Sequence, residues 1–174
     1  MMKNALILSL ALALATSCAT YHFGTALPVE QRKIAVTEIK NLTSETALAG
    51  FMQNTLREQI QNTPGLKLSS EESAGLVITV SLDRLSQSKL ARSRTRDDDA
   101  KHGRSDSYQT VLFRMTLHCT FTATPVDGSP VRQGTVVGTA DVPLMQDLAL
   151  AQQAALPQLA NDAAKHILTE LTDK

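Results

Sequence analysis

QTVLFRMTLHCTFTAT, running from Gln109 to Thr124, carries the strongest structural signal in the chain. Val111, Phe113, Met115, Leu117, Cys119, Phe121 and Ala123 alternate with Thr110, Arg114, Thr116, His118, Thr120, Thr122 and Thr124. Only Leu112 breaks the polar set. Strict period-two alternation marks a strand with one buried and one wet face. At about 3.3 Å per residue it would span about 50 Å, far beyond the usual strand.

The neighbouring segments follow the same logic. Leu76, Ile78, Val80 and Leu82 alternate with Thr79, Ser81 and Asp83, and the phase then slips at Arg84-Leu85. A one-residue slip would turn the wrong face inward, so a bulge or bend is expected near Asp83. After Pro125, Asp127-Gly128 reads as a turn. The strand that follows puts Gly134, Val136, Gly138, Ala140, Val142 and Leu144 on one face, and the small residues imply close approach by a neighbour. Lys33 to Lys40 reads as a further strand.

Two amphipathic helices complete the set. Leu48, Phe51, Met52, Leu56 and Ile60 recur at helical spacing, with Thr43 or Ser44 as the cap and Pro64-Gly65 as the stop. The second helix runs from about Gln146 towards Leu171, with a stripe of Leu148, Ala151, Ala155, Leu159, Ala163, Ile167 and Leu171. Pro157 inside it predicts a kink or a restart. The expected fold is α+β: a two-layer sandwich with both helices on one face of a four-stranded, mostly antiparallel sheet, in the order β-α-β-β-β-α.

The start of the chain speaks to its compartment. Lys3 precedes an apolar run from Ala5 to Ala15, and the small residues Ala15, Thr16 and Ser17 lead into Cys18. The run is too short to span a bilayer, which takes about 20 residues, and the pattern is that of a secretory signal. With the cysteine placed there, it resembles a bacterial lipoprotein signal, cut before Cys18 and acylated on that residue; Ala19 resembles the sorting position of outer-membrane lipoproteins. The alternative is plain secretion with an incidental cysteine. The chain then divides into a signal over 1–17, a lipidated tether over 18–32 and one α+β domain over 33–174. Once Cys18 is acylated, Cys119 has no disulfide partner.

Composition narrows the function further. The 174 residues carry 17 basic and 17 acidic side chains, so no global basic field attracts nucleic acid. Aromatic residues are 3% of the chain and Trp is absent, which leaves little material for a stacking platform. His22, His102, His118 and His166 show no metal spacing, and no nucleophile or phosphate-loop motif occurs. Asp97, Asp98 and Asp99 lack the spacing of a calcium loop. Neither cofactor nor metal is expected, and no enzymatic activity. Cys119, on the buried face, reads as a small hydrophobe. Lys89, Arg92, Arg94, Arg96, Lys101 and Arg104 are the candidate binding residues. Arg92, Arg94 and Arg96 would form a ladder if strand geometry continues, and guanidinium groups pair with phosphates and carboxylates. The alternative is a solvated hairpin tip whose mixed charges cancel.

Several stretches together resemble the lipopolysaccharide-assembly lipoproteins (the LptE family). They are Tyr21-His22-Phe23 and Leu27-Pro28 after Cys18; Lys33-Ile34-Ala35-Val36 with Asn41-Leu42-Thr43; Ala74 to Val80; and Ala154 to Ala160. Thr20 stands where the family commonly has Gly. The resemblance implies an outer-membrane lipoprotein, anchored by lipid, that sits in the lumen of an LptD-like β-barrel translocon. There it would plug the barrel, assist its assembly and help deliver lipopolysaccharide, a candidate ligand, to the outer leaflet. The other reading is an accessory lipoprotein that binds an anionic lipid or scaffolds another envelope transport complex.

Overall fold

The computed structural model describes the backbone of residues 27–96, 106–143 and 148–173, with side chains throughout except at 93–96 and 106–111. After a 3₁₀ turn (Val29–Arg32) come β1 (Lys33–Val36), β2 (Lys40–Asn41), α1 (Ala47–Asn62), β3 (Lys67–Leu68) and a second 3₁₀ turn (Glu71–Ser73). The long elements follow: β4 (Leu76–Arg96), β5 (Asp106–Pro125), β6 (Arg132–Pro143) and α2 (Leu148–Thr172).

The sheet corrects the expected strand count and direction. It has six strands in the order β3-β1-β4-β5-β6, with β2 also paired to β4. β4, β5 and β6 are antiparallel, whereas β1 and β2 run parallel to β4, and β3 runs parallel to β1. The sheet is therefore mixed. The expected first strand is broken because Thr37 turns both its N–H and its hydroxyl onto the Ile78 carbonyl (3.1 Å each), and pairing resumes only at Lys40. β3 returns from α1 to lie parallel beside β1, as a helical crossover requires. Two residues of strand leave no periodic trace in a sequence.

β5 is as its alternation predicts. Met115, Leu117, Cys119, Phe121 and Ala123 are buried against Leu76, Ile78, Val80 and Leu82 of β4 and Val136, Ala140 and Val142 of β6. The expected bulge is present. Leu82 pairs with Cys119 and Arg84 with His118, leaving Asp83 as the extra residue. Its carboxylate accepts hydrogen bonds from Ser81 Oγ (2.8 Å) and Thr120 Oγ1 (2.6 Å), so the bulge is held on both strands. Beyond it the alternation has changed phase, and Leu85 now faces the core.

α1 buries Leu48, Met52, Leu56 and Ile60, with Phe51 half-buried. Its cap differs from the expected one. Thr46 holds the cap position without a side-chain bond, and Asn41 does the local work: its Oδ1 accepts from the Thr43 N–H (3.0 Å) and hydroxyl (2.8 Å), while its Nδ2 donates to the Glu45 carbonyl (2.9 Å). α2 runs unbroken for 25 residues through Pro157, which corrects the expected restart. Pro157 is on the solvent side, where the carbonyl that loses its partner meets water. The buried stripe is broader than the expected line, adding Leu156, Ala160, Ala164 and Leu168, because α2 packs on both the sheet and α1.

Gly138 shows why β6 is rich in small residues. A Cβ placed there would lie 2.5 Å from the Leu159 carbonyl oxygen and 2.8 Å from Ala163 Cβ. The helix backbone rests directly on the strand, and its Asp162 carboxylate takes the Thr139 N–H (2.8 Å) at the sheet edge. Gly134 lies under the Phe121 ring in the same way.

Candidate functional site: a cationic ribbon

β4 and β5 outrun the other described strands. β6 ends with Pro143 opposite Leu112, and β2 ends with Asn41 opposite Leu82. Past those points β4 and β5 continue as a two-stranded ribbon, with Arg92 opposite Thr110, Arg94 opposite Tyr108 and Arg96 opposite Asp106. The strand geometry on which an arginine ladder depends therefore holds through Arg96. Five paired residues extend the ribbon about 17 Å past the three-stranded part.

Two register shifts fall at the root of the ribbon, between Lys89 and Ala91 and between Ala91 and Arg92. One leaves Leu90 extra on β4, the other Val111 extra on β5. Bulges bend and twist the strand that carries them, and a pair at one level re-aims the ribbon where the sheet lets it go. A two-stranded ribbon is marginal on its own, so its support comes from this root, where Leu85 and Phe113 join the core and Gln152 Nε2 donates to Gln87 Oε1 (2.8 Å).

Of the candidate binding residues, Lys89 and Arg92 are exposed on β4, and neither has an ion-pair partner among the described residues. Arg94 and Arg96 are strand positions of the ribbon. Lys101 and Arg104 lie outside the described residues, as do Cys18, the Tyr21-His22-Phe23 stretch, His102 and Asp97 to Asp99.

Sequence reading missed the ordered polar surface below the ribbon. On the helix-free face, Arg114 makes a two-pronged pair with Asp141 of β6 (2.7 and 2.8 Å). That pair raises the guanidinium pKa and lowers the carboxylate pKa, in each case chiefly through the hydrogen bond. Arg84 stands 3.4 Å from His118 across the strands. Both pairs depend on cross-strand register, which no local pattern announces.

Reactive chemistry is sparse. Cys119 is fully buried, and burial, with the nearby Asp83 charge second, pushes its thiol up to about 12. Such a thiol is a poor nucleophile. Among the described residues no three His, Cys, Asp or Glu side chains gather to hold a metal. A cleft of about 190 Å³ lies between the end of β6 and α2, lined by Asp141, Val142, Pro143, Ala151, Ala155 and Gln158, and its carboxylate is already bound to Arg114. No described helix is long and apolar enough to cross a membrane.

No protein-family description and no curated protein matches the chain. Solved structures do. A variant of the PelC dodecamer from Paraburkholderia phytofirmans aligns at a TM-score of 0.50 and 14% identity, over 86% of this chain and 93% of that one. A minor lipoprotein from Acinetobacter baumannii aligns at 0.48 and 10% identity, over 82% and 94%. Lipoprotein GNA1162 from Neisseria meningitidis aligns at 0.42 and 7% identity, over 82% and 99%. At 14% identity the likeness to the PelC structure is one of fold alone.

Proposed function

We propose that the protein is a lipoprotein of the bacterial envelope, anchored through Cys18, that works without catalysis by presenting the β4–β5 ribbon to a partner. The leader ending at Cys18 supports the anchor. The ribbon carries the rest: an extension two strands wide, set with Arg92, Arg94 and Arg96 above Lys89 at its root, reaching past the ends of β2 and β6.

In its finer form the partner is an outer-membrane β-barrel that translocates lipopolysaccharide, with the ribbon entering the lumen and its arginines meeting lipid phosphates or acidic barrel loops. Two strands at about 5 Å spacing make a narrow probe, and the hydroxyl-rich face of β5 suits a wet barrel interior. In a second reading the protein scaffolds another envelope complex as a ring of copies; the dodecameric state of the PelC structure favours it.

Photo-crosslinkers at positions 89 and 92 in intact cells test the proposal. An adduct with a lipopolysaccharide-translocating barrel supports the finer form, and chain-to-chain adducts support the ring. Absence of any adduct from an acylated, membrane-held chain would sink the ribbon reading.

A further inference from the structure

Asn41 opens a gap in the sheet. β2 pairs with β4 as far as Leu82, and the last bond of that edge runs from the Leu42 N–H to the Leu82 carbonyl (2.9 Å). The three bonds made by the Asn41 side chain then turn the chain off the sheet towards α1. From Arg84 to Arg92 one side of β4 is paired with β5, and nothing among the described residues pairs with the other. Its outward N–H and C=O groups are left as a template for another strand. The opposite edge of the sheet is treated differently, since Asp162 occupies the Thr139 N–H there.

We propose that the open edge of β4, from Arg84 to Arg92, is a strand-acceptor site for an extended acidic segment of a partner protein. The inference rests on the reading of β4 and β5 as the binding element, and it names the chemistry of what is bound. Three cations line the edge. Arg84 lies on the helix-free face opposite His118, and Lys89 lies opposite Phe113 on the core face. Arg92 stands at the upper end. Beyond Asp83, whose carboxylate is committed to Ser81 and Thr120, described β4 carries no acidic residue. Leu42, 57% exposed, marks the lower end of the gap, and Leu90, 44% exposed, the upper. Nine residues of strand span about 30 Å. The fitting occupant is an extended segment of that length, with carboxylates along it and an apolar side chain near each end. A second copy is a poor occupant, because pairing β4 with β4 would bring two cationic edges together.

The test uses the full chain and a fluorescent peptide of about nine residues, with leucine at each end and glutamate pairs alternating with threonine pairs between, so that carboxylates fall on both faces, set against its lysine counterpart. The expected result is binding of the glutamate peptide with slowed amide exchange over residues 84–92 and none over β6. Affinity falls by about tenfold or more in the Lys89→Glu, Arg92→Glu double variant, since like charge now meets the ligand. Equal binding of the lysine peptide, protection on β6, or protection arising from a second copy overturns the proposal. If the peptide fails while position 92 still crosslinks to a barrel in cells, this inference falls alone. If the peptide binds and positions 89 and 92 crosslink to a protein other than a barrel, the barrel reading falls and the acceptor site stands.

Discussion

Adding one methyl group at Gly138 should unseat α2. The new Cβ would sit 2.5 Å from the Leu159 carbonyl oxygen, 2.8 Å from Ala163 Cβ and 2.9 Å from its backbone nitrogen. Two of the three are main-chain atoms of a long helix and cannot rotate away, so the helix must lift from β6. Overpacking of this kind costs about 1–3 kcal/mol. Lifting also strains the Asp162 bond to Thr139 at the same level, a charged hydrogen bond contributing about 1.5–3 kcal/mol when intact. Against these, exchanging glycine for alanine in a strand returns only about 0.5–1 kcal/mol of backbone entropy. Gly138→Ala is therefore expected to destabilise by about 2–3 kcal/mol, lowering the melting temperature by roughly 5–10 °C for a domain of this size. Gly50→Ala supplies the internal control. It lies within α1 with open space around it, and the same exchange there should stabilise by about 0.5–1 kcal/mol. Urea unfolding followed by circular dichroism measures both. Two variants that shift the midpoint in the same direction would refute the close-packing argument.

Three further outcomes are expected. Gln31 is a fully buried side chain whose amide donates to Asp127 (3.0 Å) and accepts from Arg132 (3.4 Å). Gln31→Leu should cost about 0.5–1.5 kcal/mol for the lost bonds, again read from urea midpoints, since Asp127 keeps the Ser129 N–H and Arg132 the Leu171 carbonyl. The carboxyls of Asp127 and Asp141 are held below their ordinary value, the first chiefly by Gln31 and the second by Arg114. Their contribution is thus present above the unfolded pKa of about 3.9 and is lost as pH falls through the lower folded values. Asp141→Asn should flatten the pH dependence of the urea midpoint in that acid window and leave the slope above pH 6 unchanged. Cys119, with its thiol at about 12, should not react with an aromatic disulfide reagent at pH 8 until denaturant is added; rapid labelling of the native chain would contradict its burial.

How far the fold could be read ahead of the structure depended on which interactions were local. The long β5 strand declared itself because burial on one face writes period two into the sequence. The bulge at Asp83 was legible for the same reason, as a break in phase. Gly134 and Gly138 announced a close neighbour without saying which. The rest was set by partners distant in sequence. β2 and β3 exist because β4 and β1 accept them, and two residues hold no period. That β4 runs on to Arg96 was legible only as a condition, since a ribbon with no core beneath it has no hydrophobic alternation. The Arg114–Asp141 pair needs the β5–β6 register, 27 positions apart. Of the candidate binding residues, Lys89, Arg92, Arg94 and Arg96 fall on one strand, and that common placement turns a charge-rich segment into a candidate surface.

The seat of the last helix has a consequence for how the chain is made. Nine residues of α2 enter the core, and Arg132 at the start of β6 donates to the Leu171 carbonyl at its far end. Delivered amino terminus first, the polypeptide exposes the apolar side of its sheet until α2 has emerged. The order of synthesis itself thereby postpones the closing of the core until the last helix is available to cover it.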